Sequence, residues 1–197
     1  MWIAISGATG SGKHVIGDYL VQDGYEQVAI HTEKKLPEQL LTFSDRLWEY
    51  YCATDRIARY DIFTIRSIWE AFLIQIPLAF EFHLISPEQY ETLMMVKAAM
   101  FSRPYSLQPP SAMIFVRSNK MATVNRLALR GKLFDQNMIF REMEMYEDFI
   151  STISIPILEI DATQDVLTIK KNVSFGMASF KAPGVASNSV WQKGMFR

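Results

Sequence analysis

The chain opens with a short apolar run, Trp2 to Ser6, bounded by glycine, which predicts a buried strand. The glycine-rich turn that follows leads into an amphipathic pattern reaching about Val21, a first helix. EQVAIHT predicts a second strand ending at Thr32, with Glu33 just past its tip. Pro37 suits the first turn of a helix, and Leu40, Leu41, Leu47, Tyr51 and Ile57 supply its apolar stripe. DIFTI, Asp61 to Ile65, reads as a short buried strand. The apolar stretch from Ile68 then predicts a helix kinked near Pro77, because proline has no backbone N–H to give. Ser86, Pro87 and Gln89 make an N-cap, a first-turn proline and a capping-box partner for the next helix. Downstream, AMIFV predicts a strand and NKMATVNRLALRGK a helix that stops at Gly131. QNMIFREMEMYEDFI is a further helix, IPILEID a last strand and TQDVLTIKKNV a last helix.

Strands alternating with helices predict an α/β fold, a parallel sheet of about five strands flanked by helices on both faces. The 197 residues suit one domain, assigned here to 1–173. From Ser174 the pattern dissolves into Gly, Ser and Pro with Trp191, Phe196 and several cations. Residues 174–197 are therefore expected to be an extended tail or a docking arm into a larger assembly. Hydrophobic residues make up 49% of the chain, enough for a packed core. The net charge of −1 points to neither nucleic acid nor a membrane surface as partner. A single cysteine, Cys52, allows no internal disulfide. The sequence shows neither a secretory pattern nor a span of sufficient length and apolarity, so the expected location is cytoplasmic.

The candidate chemistry sits in the first turn. Gly7, Ala8, Thr9, Gly10, Ser11, Gly12 and Lys13 spell Gly-x-x-x-x-Gly-Lys, between a predicted strand and a predicted helix. Glycines at these places let the backbone wrap an anion and point N–H groups inward. The start of the helix adds its favourable dipole, and the Lys13 ammonium can meet β- and γ-phosphate oxygens. His14 follows, where such loops carry a Ser or Thr that holds magnesium. Imidazole is a poor ligand for that hard ion. His14 either contacts phosphate or covers the loop from outside.

With these residues in view, the chain resembles the deoxyribonucleoside kinases, particularly the bacterial deoxyguanosine and deoxyadenosine kinase branch, and more distantly the thymidylate kinases. GATGSGKH is similar to that family's phosphate loop, IRSIWEAF to its acidic-Arg-Ser segment, and LISPEQYETLMM to its exposed turn and helix. PPSAMIFVRSNKMATVNRLALRGK is similar to the fourth strand and arginine-bearing lid, placed near 126–138, and IPILEIDATQD to the closing strand. The resemblance implies a P-loop NTPase fold of the kinase type, ATP and Mg2+ as cofactors, and a nucleoside or nucleotide as the small-molecule partner. It implies that Glu33 accepts the proton of a 5′-hydroxyl and that Arg66 holds the reacting end of the substrate. It further implies that Arg126, Arg130 and Lys132 bring positive charge over ATP. Glu70 is a candidate for the substrate site, and Arg56, with Arg59, for an acceptor phosphate. Family members often pair through helices, which makes a homodimer an expectation as well.

Three positions depart from the family's pattern: His14, Ile65 where an acidic residue precedes Arg-Ser, and Ala53 where a base-reading glutamine is expected. Two of the departures bear on the same magnesium ion. Three readings follow: an ATP-dependent deoxynucleoside kinase with an atypical metal site, a catalytically degenerate structural or assembly subunit, or a deoxynucleoside monophosphate kinase.

Overall fold

The computed structural model describes residues 1–28, 39–101, 108–131 and 133–181, without the side chains of 39–46 and 48. Five strands, β1 (Trp2–Ser6), β2 (Glu26–Gln27), β3 (Ile62–Ile65), β4 (Ala112–Arg117) and β5 (Ile157–Asp161), form one sheet in the order β2-β3-β1-β4-β5. Every pairing is parallel, as the alternation of strands and helices requires. Central β1 is buried along its whole length, which explains its unbroken apolar run. Ile3 and Ile5 point to one face, where they pack with α1 (Lys13–Gln22) and α8 (Val166–Lys181) through Ile16, Leu20, Ile169 and Val173. Trp2 and Ala4 point to the other face. There Trp2 meets α2 (Gln39–Arg56) through Tyr50, and Ala4 meets α7 (Gln136–Thr152) through Tyr146 and Phe149.

The expected caps are present. At the start of α5 (Pro87–Phe101) the Gln89 N–H donates to Ser86 Oγ at 3.3 Å, and the Ser86 N–H donates to Gln89 Oε1 at 2.9 Å. This is the reciprocal capping box. Asn119 caps α6 (Lys120–Leu129) through its Oδ1, 2.7 Å from the Ala122 N–H, and Gly131 ends that helix with φ 62°.

Two elements differ from expectation. The kink assigned to Pro77 is a π-helical segment, Ala71–Gln75, lying between the short α3 (Ile68–Glu70) and α4 (Ile76–Glu81). Pro77 cannot bond to the carbonyl one turn back, and the wider turn before it absorbs the mismatch. The last helix does not stop near 173 but continues to Lys181. Met177 is buried in the same cluster as Val173, Phe180 packs against it, and Lys181 pairs with Asp61 at 2.9 Å. Residues 182–197 lie outside the described residues.

The extension depends on Gly176, where a Cβ would come within 2.3 Å of a Leu158 methyl. Gly176→Ala is therefore expected to destabilise the fold by about 1–3 kcal/mol, read from the midpoint of urea denaturation. No change in midpoint would mean that α8 does not need this close approach.

Candidate active site

Each β1 neighbour is reached by a different route: the chain first runs to β2 and β3 on one side, then crosses to β4 on the other. The carboxyl end of β1 is thus the switch point of the sheet, where ligands of open parallel sheets are held. The loop Gly7 to Gly12 lies there, and Gly12, at φ 104°, occupies the cap position of α1. Gly7 has φ 139°, and a Cβ on it would approach the Val116 carbonyl to 2.6 Å. At Gly10 a Cβ would press on Leu127 and Thr123 of α6 at 3.0 and 3.1 Å. The glycines are required by close packing as well as by backbone conformation.

Lys13 is buried, and its ammonium donates to the Gly7 and Ala8 carbonyls at 2.6 and 2.7 Å. The Ser11 and Thr123 hydroxyls are buried and have no hydrogen-bond partner among the described residues. A shallow recess borders the loop, lined by Ala8, Ser11, Val116, Ser118 and Tyr146 among others. Glycines that admit no Cβ, an ammonium at the loop mouth and an orphaned hydroxyl together fit a polyphosphate.

Arg66 follows β3 with φ 73°, a strained conformation for a residue with a Cβ. Its backbone N–H bonds the Ile5 carbonyl at 2.8 Å. Its Nη2 donates to Thr9 Oγ1 at 3.0 Å and to Glu142 Oε1 at 2.9 Å. The Thr9 hydroxyl donates onward to Glu142 Oε1 at 3.2 Å, and the Thr9 backbone N–H donates to Glu142 Oε2 at 2.8 Å. Beside them Glu70, fully buried, accepts from Ser67 Oγ at 3.0 Å and from the Tyr146 hydroxyl at 2.8 Å. Burial works against the Arg66 charge, but Tyr146, Glu142 and Glu70 outweigh it and hold the guanidinium more firmly protonated than usual. Burial likewise drives the Tyr146 hydroxyl well above the ordinary phenol range, with Arg66 opposing and the two carboxylates reinforcing.

Glu142 and Tyr146 were not singled out from the sequence. The available signal was a carboxylate on the buried stripe of α7, in line with Ile139, Tyr146, Phe149 and Ile150. The other expected residues are distributed unevenly. Arg126 is a clasp: it donates to the Ser11 carbonyl at 3.1 Å, to Ser118 Oγ at 3.2 Å and also to the Ala162 carbonyl, tying loop, β4 and β5 together. Arg130, at the end of α6, is exposed and acts on His14 electrostatically. Arg56 does not reach the site. It pairs with Glu26 of β2, whose register partner Ile62 begins β3 at the amino end of the sheet, opposite the loop. Ala53, the expected base-reading position, is fully buried in the cluster of Trp2 and Tyr50. Glu33 and Lys132 lie outside the described residues.

His14 lies on the exposed side of α1. Partial desolvation, then Lys13, Arg130 and Arg66, hold its imidazole below the ordinary range, and Asp18 only partly opposes them. Because the folded value is depressed, protonation disfavours the native state. The His14 contribution to stability therefore rises with pH between its own pKa and the unfolded value of about 6.5. NMR titration is expected to place the His14 midpoint below about 6.5 and to move it upward when ADP is added, since phosphate charge favours the imidazolium. A midpoint insensitive to ADP would put His14 away from the phosphates.

No cluster of three or more His, Cys, Asp or Glu side chains stands ready to hold a metal ion among the described residues. Glu142 and Glu70 are both committed, to Arg66 with Thr9 and to Ser67 with Tyr146. The residues described do not fit a magnesium ion held by the protein itself.

An all-parallel five-stranded sheet with a glycine loop at its switch point is the α/β architecture of the P-loop kinases. Within that class the fold is that of deoxyadenosine kinase. The M. mycoides deoxyadenosine kinase with bound dATP superposes with a TM-score of 0.73 at 19% identity, over 92% of this chain and 100% of that one. The same enzyme with the products dCMP and a flexible dCDP gives 0.69 at 19% identity over 92% and 100%, and its dCTP complex gives 0.69 at 19% over 91% and 100%. No family model matches the sequence, and no curated protein does. Among the described residues no helix is long and apolar enough to cross a membrane.

Proposed function

We propose that this chain is an ATP-dependent kinase that phosphorylates the 5′-hydroxyl of a deoxyribonucleoside. The observation that carries the reading is the meeting of a phosphate loop, Gly7 to Lys13, with the partly buried arginine Arg66, which bonds directly to that loop through Thr9. In phosphoryl transfer the protein contributes mainly position and charge, and these two cations supply both. When bound, ATP brings the γ-phosphoryl group. Lys13 then exchanges the Gly7 and Ala8 carbonyls for phosphate oxygens, while the loop N–H groups and the α1 dipole support the same charge. Arg66 neutralises charge where the acceptor oxygen enters. Glu33 takes the proton of the attacking hydroxyl. Arg130, exposed at the end of α6, adds charge from outside.

Of the two cations named for the monophosphate reading, Arg56 pairs with Glu26 at the amino end of the sheet, which leaves that reading with less support. The commitment of both Glu142 and Glu70 favours a second reading, in which the chain binds nucleotide but serves in assembly. Incubation with ATP, magnesium and each of the four deoxynucleosides separates the two. A labelled monophosphate product is expected from at least one of them. Product no greater than that of a Lys13→Ala control refutes the kinase reading.

A further inference from the structure

We propose that Glu142 is a positioning residue, one that fixes Arg66 and the leading edge of the loop in a single arrangement; the inference rests on the kinase reading above. Its carboxylate is almost wholly buried, with a side-chain exposure of 4%. A buried carboxylate needs its acceptor capacity filled, and here Oε2 takes the Thr9 backbone N–H while Oε1 takes the Thr9 hydroxyl and Arg66 Nη2. Arg66 Nη2 also donates to the Thr9 hydroxyl, which closes a three-membered ring of hydrogen bonds between α7, the loop and the end of β3.

The ring leaves a particular part of Arg66 available. Among the described residues the guanidinium is held only at Nη2. Its Nε and Nη1 edge, which bonds no group among the described residues, is the part placed to meet an oxyanion, with the fork fixed at its far corner. A guanidinium pinned in this way loses less freedom on meeting phosphate than one on a loose side chain. The positive φ of Arg66 fits the same account, since the backbone is held in a strained conformation that aims the side chain at the loop. Glu142 reaches the site from α7, a helix rigidly packed on the sheet through Tyr146 and Phe149. The sheet thereby sets the direction of the arginine.

The test uses the full chain with Glu142→Gln, which keeps the shape but removes the charge, and Glu142→Asp, which keeps the charge. In Glu142→Gln the turnover is expected to fall about 100-fold while ADP affinity by calorimetry and KM for ATP stay within about threefold. The NMR signal of the Thr9 amide is expected to shift in the same variant, and Glu142→Asp to recover part of the turnover. Wild-type turnover with an unmoved Thr9 amide overturns the proposal. So does a joint loss of ADP affinity, turnover and thermal midpoint, which marks a general structural part. If the wild-type chain phosphorylates no deoxynucleoside, the kinase reading fails separately. Positioning is then judged in the ligand-free protein: Thr9 amide and Arg66 Nε–H signals unchanged by Glu142→Gln overturn it, and their displacement supports it.

Discussion

Arg66→Ala is expected to destabilise the protein by about 3–5 kcal/mol, because it leaves two buried carboxylates without the cation between them. The side chains concerned are Glu142, which bonds Arg66 at 2.9 Å, and fully buried Glu70 beside it. A second variant separates charge from backbone. At φ 73° an alanine carries a Cβ penalty that glycine does not, so Arg66→Gly should be more stable than Arg66→Ala by about 1 kcal/mol although both lack the guanidinium. Equilibrium urea denaturation of the two variants and the parent checks both statements. Equal stability of alanine and glycine at this position contradicts the strain; parental stability in either contradicts the buried ion cluster. Arg66→Lys should not restore turnover, since an ammonium cannot hold Glu142 and Thr9 with one corner and a phosphate with the other.

Lys13→Ala is expected to lower turnover by about 100- to 1,000-fold, the usual loss for one preorganised donor to developing charge. It should also abolish the heat of ADP binding. The same change removes two buried hydrogen bonds, to the Gly7 and Ala8 carbonyls. A loss of stability of about 1–3 kcal/mol should accompany it. Calorimetry with ADP and thermal unfolding of the same sample distinguish the two effects. Unchanged ADP heat with a lowered melting point would show that Lys13 serves only to close the loop on itself.

The parts of this molecule that were readable in its sequence are those governed by neighbours along the chain. Apolar runs set the strands, and Ser86 with Gln89 announced a helix start through bonds made within three residues. Gly7, Gly10 and Gly12 announced a turn whose backbone only glycine tolerates easily. Long-range pairings were less visible. Glu142 lies 133 residues from Thr9, and nothing local in FREMEMY says where its carboxylate goes. Arg126 looked like an exposed lid charge because its three acceptors, Ser11, Ser118 and Ala162, come from separate segments. Arg56 misled for the opposite reason. Its neighbours suggested a phosphate site, whereas topology puts it at the amino end of the sheet. The glycine and serine among the residues after Ser174 hid a helix face in which that glycine is the point of closest packing.

The clasp made by Arg126 also orders events during synthesis. The loop segment leaves the ribosome well before its fasteners: Arg126 lies 115 residues beyond Ser11, and the Ala162 carbonyl another 36 beyond Arg126. Contacts so distant in the chain form only after most of it is available. A nascent polypeptide therefore carries the complete glycine loop unfastened until the residues around Ala162, just past the closing strand, emerge.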